Sequence, residues 1–227
     1  MCGRIAQTLS PADYAAAAGW PTNPQYKLPL EPLSHFNGSP GAAHFMFRSD
    51  NGLTSGEAVM WQYLSSYAKM KGLRPAINAR AEKLLDRYYI TLTRTGRTIV
   101  PVDAWYEWTG PEKNKTRWLI RPKNKMPIYL AALTNHHPGK EDPEKAGFVL
   151  ATDDAAGGLV DVHDRRPIAL TAEDALTWMD LATPAPDAVH IARTMALGTS
   201  DFEWYPVASK SPSDISLFEP IGDIVSG

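Results

Sequence analysis

A cysteine at position two is the residue of this chain with the most chemistry open to it. The sequence begins Met1-Cys2-Gly3-Arg4, and an initiator methionine is normally trimmed when the next side chain is as small as cysteine. The mature protein is therefore expected to start with an α-amine and a thiol on one residue. Such a 1,2-aminothiol condenses with an aldehyde to an imine, and its sulfur then adds to the same carbon to close a thiazolidine ring. No internal cysteine can do this. With ordinary pKa values of about 7.7–8.0 for the amine and about 8.5 for the thiol, on the order of a tenth of each is nucleophilic near neutral pH. The competing reading is an incidental small residue at a frayed end.

Imine formation also needs a proton carrier, because the carbinolamine loses its hydroxyl as water. Glu107 stands in Trp105-Tyr106-Glu107-Trp108, where strand alternation sets Trp105 on one face and Tyr106 and Trp108 on the other. A carboxyl among aromatic rings is partly desolvated, which raises its pKa and lets it carry a proton near neutrality; the alternative is an exposed strand glutamate. His163, in Val160-Asp161-Val162-His163-Asp164-Arg165-Arg166-Pro167, is either a proton-transfer group or a hydrogen-bonded structural histidine. Asn78-Ala79-Arg80 pairs an amide with a guanidinium whose fork matches phosphate oxygens, although a helix start is equally open. The loop over 63–74 mixes aromatic and basic side chains, as single-strand binding surfaces do. His136 and His137 fall in a charged loop and are expected to be solvated surface, with no metal site.

The rest of the composition bounds the answer. The 227 residues suffice for one large domain or two small ones, and 44% hydrophobic with 21% charged residues is ordinary for a soluble globular chain. The longest apolar runs, 15–18 and 128–133, are too short to span a bilayer, so a cytoplasmic protein is expected. With Cys2 the only cysteine, an intramolecular disulfide and a multi-cysteine zinc site are excluded. A net charge of −2 provides no global attraction to nucleic acid, so any such binding needs a local patch. The 19 prolines and 7 tryptophans favour an irregular, compact fold over a bundle.

These groups must be positioned by short elements. Ser10-Pro11-Ala12-Asp13 predicts a capped helix over 10–18 ending at Gly19, followed by a proline-rich ordered coil over 21–41 that ends in Asn37-Gly38-Ser39-Pro40-Gly41. Segments 43–48 and 57–63 around Asp50-Asn51-Gly52 predict a hairpin. A helix is expected over 81–95, although Tyr88-Tyr89-Ile90-Thr91 has strand propensity. Strands follow at 98–102, 105–108, 117–121, 127–133 and 148–152, with a polar turn over 135–145. Helices are expected from Thr171 toward Met179 and over 187–196, and a last strand over 202–207. Strands at that spacing imply a mostly antiparallel sheet or barrel. The first 207 residues read as one domain and 208–227 as a tail.

Taken in order, Met1-Cys2-Gly3-Arg4, the turn at 37–41, Asn78-Ala79-Arg80 with Glu82, Trp105-Tyr106-Glu107-Trp108, and His163-Asp164-Arg165 with Pro167 resemble the SOS-response-associated peptidase (SRAP) family. The resemblance implies a single α+β domain, a mostly antiparallel pseudo-barrel with peripheral helices. It implies an enzyme of lyase-type Schiff-base chemistry that crosslinks covalently to abasic sites in single-stranded DNA, including at junctions with duplex, and shields them. It implies autoprocessing that removes Met1. It implies Cys2 as nucleophile with Asn78, Glu107 and His163 as catalytic partners; Arg4, Arg80 and Arg165 on phosphates; and Asn37, Pro40 and Tyr67 along the DNA path. A monomer is implied, with no metal, no organic cofactor and no membrane. Two other readings stay open. One is a cysteine N-terminal-nucleophile amidohydrolase, in which the α-amine is the base for its own thiol; the other is a non-covalent single-strand binding module.

Overall fold

The computed structural model describes residues 2–137, 146–208 and 215–227. The expected loss of Met1, most of the turn over 135–145 and residues 209–214 of the expected tail lie outside them. In chain order the elements are β1 (Arg4–Gln7), α1 (Pro11–Ala18), β2 (His35–Gly38), β3 (Ala43–Asp50), β4 (Leu53–Met60), α2 (Ser66–Met70), β5 (Asn78–Arg80), α3 (Ile90–Thr95), β6 (Arg97–Val102), β7 (Ala104–Thr109), β8 (Thr116–Pro122) and β9 (Ile128–Thr134). There follow β10 (Phe148–Asp154), β11 (Arg165–Pro167), β12 (Ala169–Leu170), α4 (Ala172–Met179), α5 (Ala185–Thr194), β13 (Phe202–Val207) and β14 (Val225–Ser226).

The strands form a six-stranded sheet, β14-β13-β8-β7-β1-β2, and an eight-stranded one, β11-β10-β9-β6-β3-β4, with β12 on β9 and β5 on β10. Period-two alternation places each strand's side chains in two layers. Along β9, Ile128, Leu130 and Ala132 meet Ile5, Trp105, Ile120 and Phe202 of the six-stranded sheet, whereas Tyr129, Ala131 and Leu133 pack under the helices. The outer face of the six-stranded sheet carries Tyr106, Leu119 and Tyr205, partly covered by Phe218. The fold is α+β: helices, sheet, sheet. The expected pseudo-barrel is this face-to-face pair, which does not close among the described residues.

One buried amide ties the two sheets together next to the amino terminus. Gln7, wholly buried, donates from Nε2 to the carbonyls of Phe45 and Pro101, each at 2.8 Å, and its Oε1 accepts from the Phe45 N–H at 3.2 Å. Three of its hydrogen bonds are thus made inside the core, where an unmade one would cost about 1–3 kcal/mol.

Several elements match expectation and several do not. Ser10 caps α1 by accepting from Asp13 N–H at 3.0 Å, and Gly19 ends it at φ 66°. The stretch 21–41, expected as coil, contains β2, whose Gly38 pairs with Ile5 on the six-stranded sheet. The hairpin is longer than expected: Asn51 and Gly52 both have positive φ, 50° and 78°. That two-residue turn joins Asp50 to Leu53 and pairs eight residues of each strand. Its second strand is therefore 53–60 rather than 57–63. The helix expected over 81–95 is broken into a single 3-10 turn, Ala81–Lys83, and α3. Between them Tyr88 and Tyr89 pack edge-on against each other, and Tyr88 also against Tyr63, so aromatic packing overrides local propensity there. His136 is not solvated surface; its side chain is largely buried, with Nε2 2.6 Å from Glu57 Oε2. Within the expected tail, β14 pairs with β13.

Candidate functional site

Cys2 leads directly into β1, whose pairing with β7 sets Arg4 opposite Tyr106 and Ile5 opposite Trp105. It lies fully buried at the end of the layer between the sheets. From the other sheet, β5 runs parallel to β10 with Asn78 opposite Leu150 and Arg80 opposite Thr152. Alternation along β5 turns Ala79 toward the helices, so Asn78 and Arg80 share the side facing the inter-sheet layer. Asn78 Nδ2 donates to the Cys2 carbonyl at 2.8 Å. The Asn78 amide thus clamps the backbone of the residue expected to be the nucleophile. Its Oδ1 is buried and has no hydrogen-bond partner among the described residues, which leaves an acceptor available inside the site.

Glu107, expected to be desolvated, is 4% exposed. Burial pushes its carboxyl up from 4.5 to about 7, against the opposing positive charge of the amino terminus. Cys2 feels the same environment. Its thiol is raised well above the ordinary range, first by burial and then by the Glu107 charge, and its Sγ–H points to the Arg4 carbonyl at 3.8 Å. The thiol is therefore held neutral beside a carboxyl that exchanges its proton near pH 7.

Glu107 and His163 line one small cavity of about 10 Å³ with Trp105, Arg165 and Arg166, room for about one water. His163 is pulled below its ordinary pKa, first by burial and then by the amino-terminal charge, so it is neutral at pH 7. Its Nδ1 lies 2.9 Å from the Arg165 N–H and 2.8 Å from Asp164 Oδ1. A single ring nitrogen cannot both accept from the first and donate to the second. The backbone N–H is fixed while the Asp164 side chain is 83% exposed, so Nδ1 is assigned as acceptor and the proton to Nε2.

The structure brings Cys2, Asn78, Glu107, His163, Arg80 and Arg165 to this one end of the molecule. Arg80 is exposed. Arg165 is not free: its guanidinium reaches Glu82 at 2.9 and 3.1 Å and Asp154 at 2.5 Å, a tie between β10, β11 and the turn after β5. Arg4 lies elsewhere, on the Tyr106 face, where its guanidinium donates to the Asn37 carbonyl at 3.3 Å. Pro40 is half-buried in the turn after β2, and Tyr67 stands half-exposed on α2.

Sequence reasoning passed over Arg117, which it placed only as a strand residue. It is 2% exposed, lies 3.8 Å over the Tyr106 ring and 5.6 Å from Trp108, and donates to Asn37 Oδ1 at 2.8 Å. Burial and the neighbouring Arg4 charge lower its pKa, and among the described residues no carboxylate pairs with it. Asn37 therefore joins two guanidiniums. The alternation Tyr106, Trp108 and cross-strand Arg117 was the available signal, but the register Trp108↔Arg117 is a tertiary fact.

With this geometry in hand, comparison with known proteins is informative. The chain is 31% identical over 209 residues to the abasic site processing protein YedK of Escherichia coli K12, covering 92% of each. It is 28% identical over 135 residues to the abasic site processing protein YobE of Bacillus subtilis, covering 59% of this chain and 61% of that one. Among solved structures, a phage-related protein of Bordetella bronchiseptica superposes with a TM-score of 0.76 at 34% identity, covering 95% of this chain and 99% of the other. The family model described as SOS response associated peptidase (SRAP) matches residues 1–211. With that match across nearly the whole chain, the protein belongs to the SOS response associated peptidase family.

Proposed function

We propose that this protein captures the aldehyde of an abasic site in single-stranded DNA through Cys2, after Met1 is removed, as an imine and then as a thiazolidine. The observation that carries the reading is the pairing of a buried, neutral thiol with a carboxyl that titrates near pH 7, on a residue whose backbone is clamped by Asn78. The names of the relatives, abasic site processing proteins, support the substrate.

The chemistry follows from those positions. The α-amine adds to the aldehyde carbon to give a carbinolamine. Protonated Glu107 gives its proton to the departing hydroxyl, water leaves, and an iminium remains. The Glu107 carboxylate then takes the Sγ–H proton as sulfur adds to the iminium carbon. The ring closes with a neutral nitrogen, and Glu107 is restored as the acid. Neutral His163, with its proton on Nε2, serves opening of the closed sugar or reversal of the adduct. Exposed Arg80 supplies phosphate attraction. No helix among the described residues is long and apolar enough to cross a membrane; a monomer working on DNA in the cytoplasm completes the proposal.

The test is a denaturing gel with an oligonucleotide bearing one abasic site. Mature protein crosslinks, and protein with one residue added before Cys2 does not, because its amine has become an amide. Cys2→Ser keeps the amine, so borohydride traps its imine while the heat-stable adduct disappears. Crosslinking by the extended protein as fast as by the mature one refutes the aminothiol mechanism. Turnover of glutamine or a peptide that depends on Cys2, with no covalent DNA, would instead establish an amidohydrolase.

A further inference from the structure

Beside the turn that follows β2 lies a feature the proposed reaction does not use. His35 and His44 approach with ring centroids 5.3 Å apart and planes at 89°, and both line a cavity of about 280 Å³ with Asn37 and Ser39. His44 is 1% exposed. Its Nε2 lies 2.9 Å from the Ser39 carbonyl, a partner that can only accept, so the proton sits on Nε2 and Nδ1 carries a lone pair. That Nδ1, and the Nδ1 of His35, are buried with no hydrogen-bond partner among the described residues. Buried ring nitrogens are normally satisfied. Here two orphaned ones belong to rings in contact.

Gly38 lets the backbone lie directly against this edge of His44. A Cβ at position 38 would lie 2.3 Å from His44 Cε1 and 3.0 Å from Nδ1, so any other residue would cover the nitrogen. We infer that His35 and His44 form a site for a borderline transition-metal ion such as Zn²⁺ or Ni²⁺, bound through the two Nδ1 atoms and completed by water. The spacing fits. Metal–nitrogen bonds of roughly 2.0–2.1 Å in tetrahedral geometry place two ligating imidazoles with centroids on the order of 5 Å apart. The remaining ring nitrogen of His44 makes the contact expected of a ligand histidine, donation to a backbone carbonyl that fixes tautomer and orientation.

Among the described residues no group of three or more histidine, cysteine or carboxylate side chains converges on a metal position. The site therefore offers two protein ligands and open positions, which makes for modest affinity and an ion that keeps its full charge. It requires neither crosslinking nor DNA.

The test is a titration of untagged protein with Zn²⁺ and Ni²⁺ by calorimetry, together with NMR of the histidine ring nitrogens. One ion per chain should bind, with the Nδ1 resonances of His35 and His44 moving and those of His190 unmoved. His35→Ala and His44→Ala should each weaken binding at least about tenfold, while Cys2→Ala and His190→Ala leave it unchanged. Because His44 is buried, its variant is also a test of folding, and the ring resonances of the unaltered protein decide the matter without it. Absence of binding up to about 1 mM metal, binding with unmoved His35 and His44 rings, or loss of binding in Cys2→Ala alone would each overturn the site.

Discussion

Glu107→Gln should make the protein more stable and less active, and the two effects should have different pH dependences. In the folded chain the Glu107 carboxyl is raised from 4.5 to about 7 by burial. A raised folded pKa means that the folded state holds this proton more tightly than the unfolded chain does. The group is therefore harmless below about pH 4.5, becomes progressively costly as pH rises through that window, and reaches its full cost above about 7. At roughly 1.36 kcal/mol per pH unit, the full cost is about 3 kcal/mol. Glutamine has the shape of the protonated acid and no charge to bury. Glu107→Gln should thus melt only about 2–3 °C above wild type near pH 5 and roughly 6–12 °C above it at pH 8–9, at about 2–4 °C per kcal/mol for a chain of this size. Crosslinking at saturating abasic DNA should fall about a hundredfold or more, because the acid that expels the hydroxyl is gone. The assays are thermal melts from pH 5 to 9 and single-turnover crosslinking. A melting difference that stays constant across pH refutes the desolvated carboxyl, and a rate change under about threefold reduces Glu107 to a structural residue.

Other expectations rest on single contacts. Asn78→Ala removes the 2.8 Å bond to the Cys2 carbonyl; borohydride-trapped imine should form at least about tenfold more slowly, and an unchanged rate would remove the clamp from the mechanism. Gly38→Ala drives a methyl into His44, which is wedged against Trp61 at 5.7 Å, and should cost about 1–3 kcal/mol by denaturant melting; an unaffected midpoint would mean that the ring moves freely. Arg117→Met keeps the contact with Tyr106 but removes a buried charge that no described carboxylate balances, so stability should hold or rise while non-covalent DNA binding weakens. Loss of folding with unchanged binding would assign Arg117 to the core alone. Arg4→Ala and Arg80→Ala should each flatten the salt dependence of DNA binding by about one unit of slope, and unchanged slopes in both would take them off the DNA path.

What the sequence determined by itself was what depends on residue type and short-range spacing. Cys2 beside the start carries its chemistry in its covalent position. Ser10 and Gly19 bracket α1 because caps are local, and Trp105-Tyr106-Glu107-Trp108 splits between two layers because strand alternation is local. Even the desolvation of Glu107 was legible, since any strand packed on both faces buries its carboxylates. What tertiary structure alone decided was which distant groups meet. Asn78 holds the Cys2 backbone only because β5 joins the sheet opposite β1. Arg165 faces Glu82 and Asp154 because β10 and β11 pair in one register. Arg117 lies beside Arg4 through Asn37, and β2 exists within a proline-rich stretch, because β1 offers it an unpaired edge. The broken helix after Arg80 has the same origin: propensity is worth tenths of a kcal/mol per residue, and packing aromatic rings such as Tyr88 and Tyr89 is worth more. Such contacts join residues as many as 83 positions apart, and no local pattern records them.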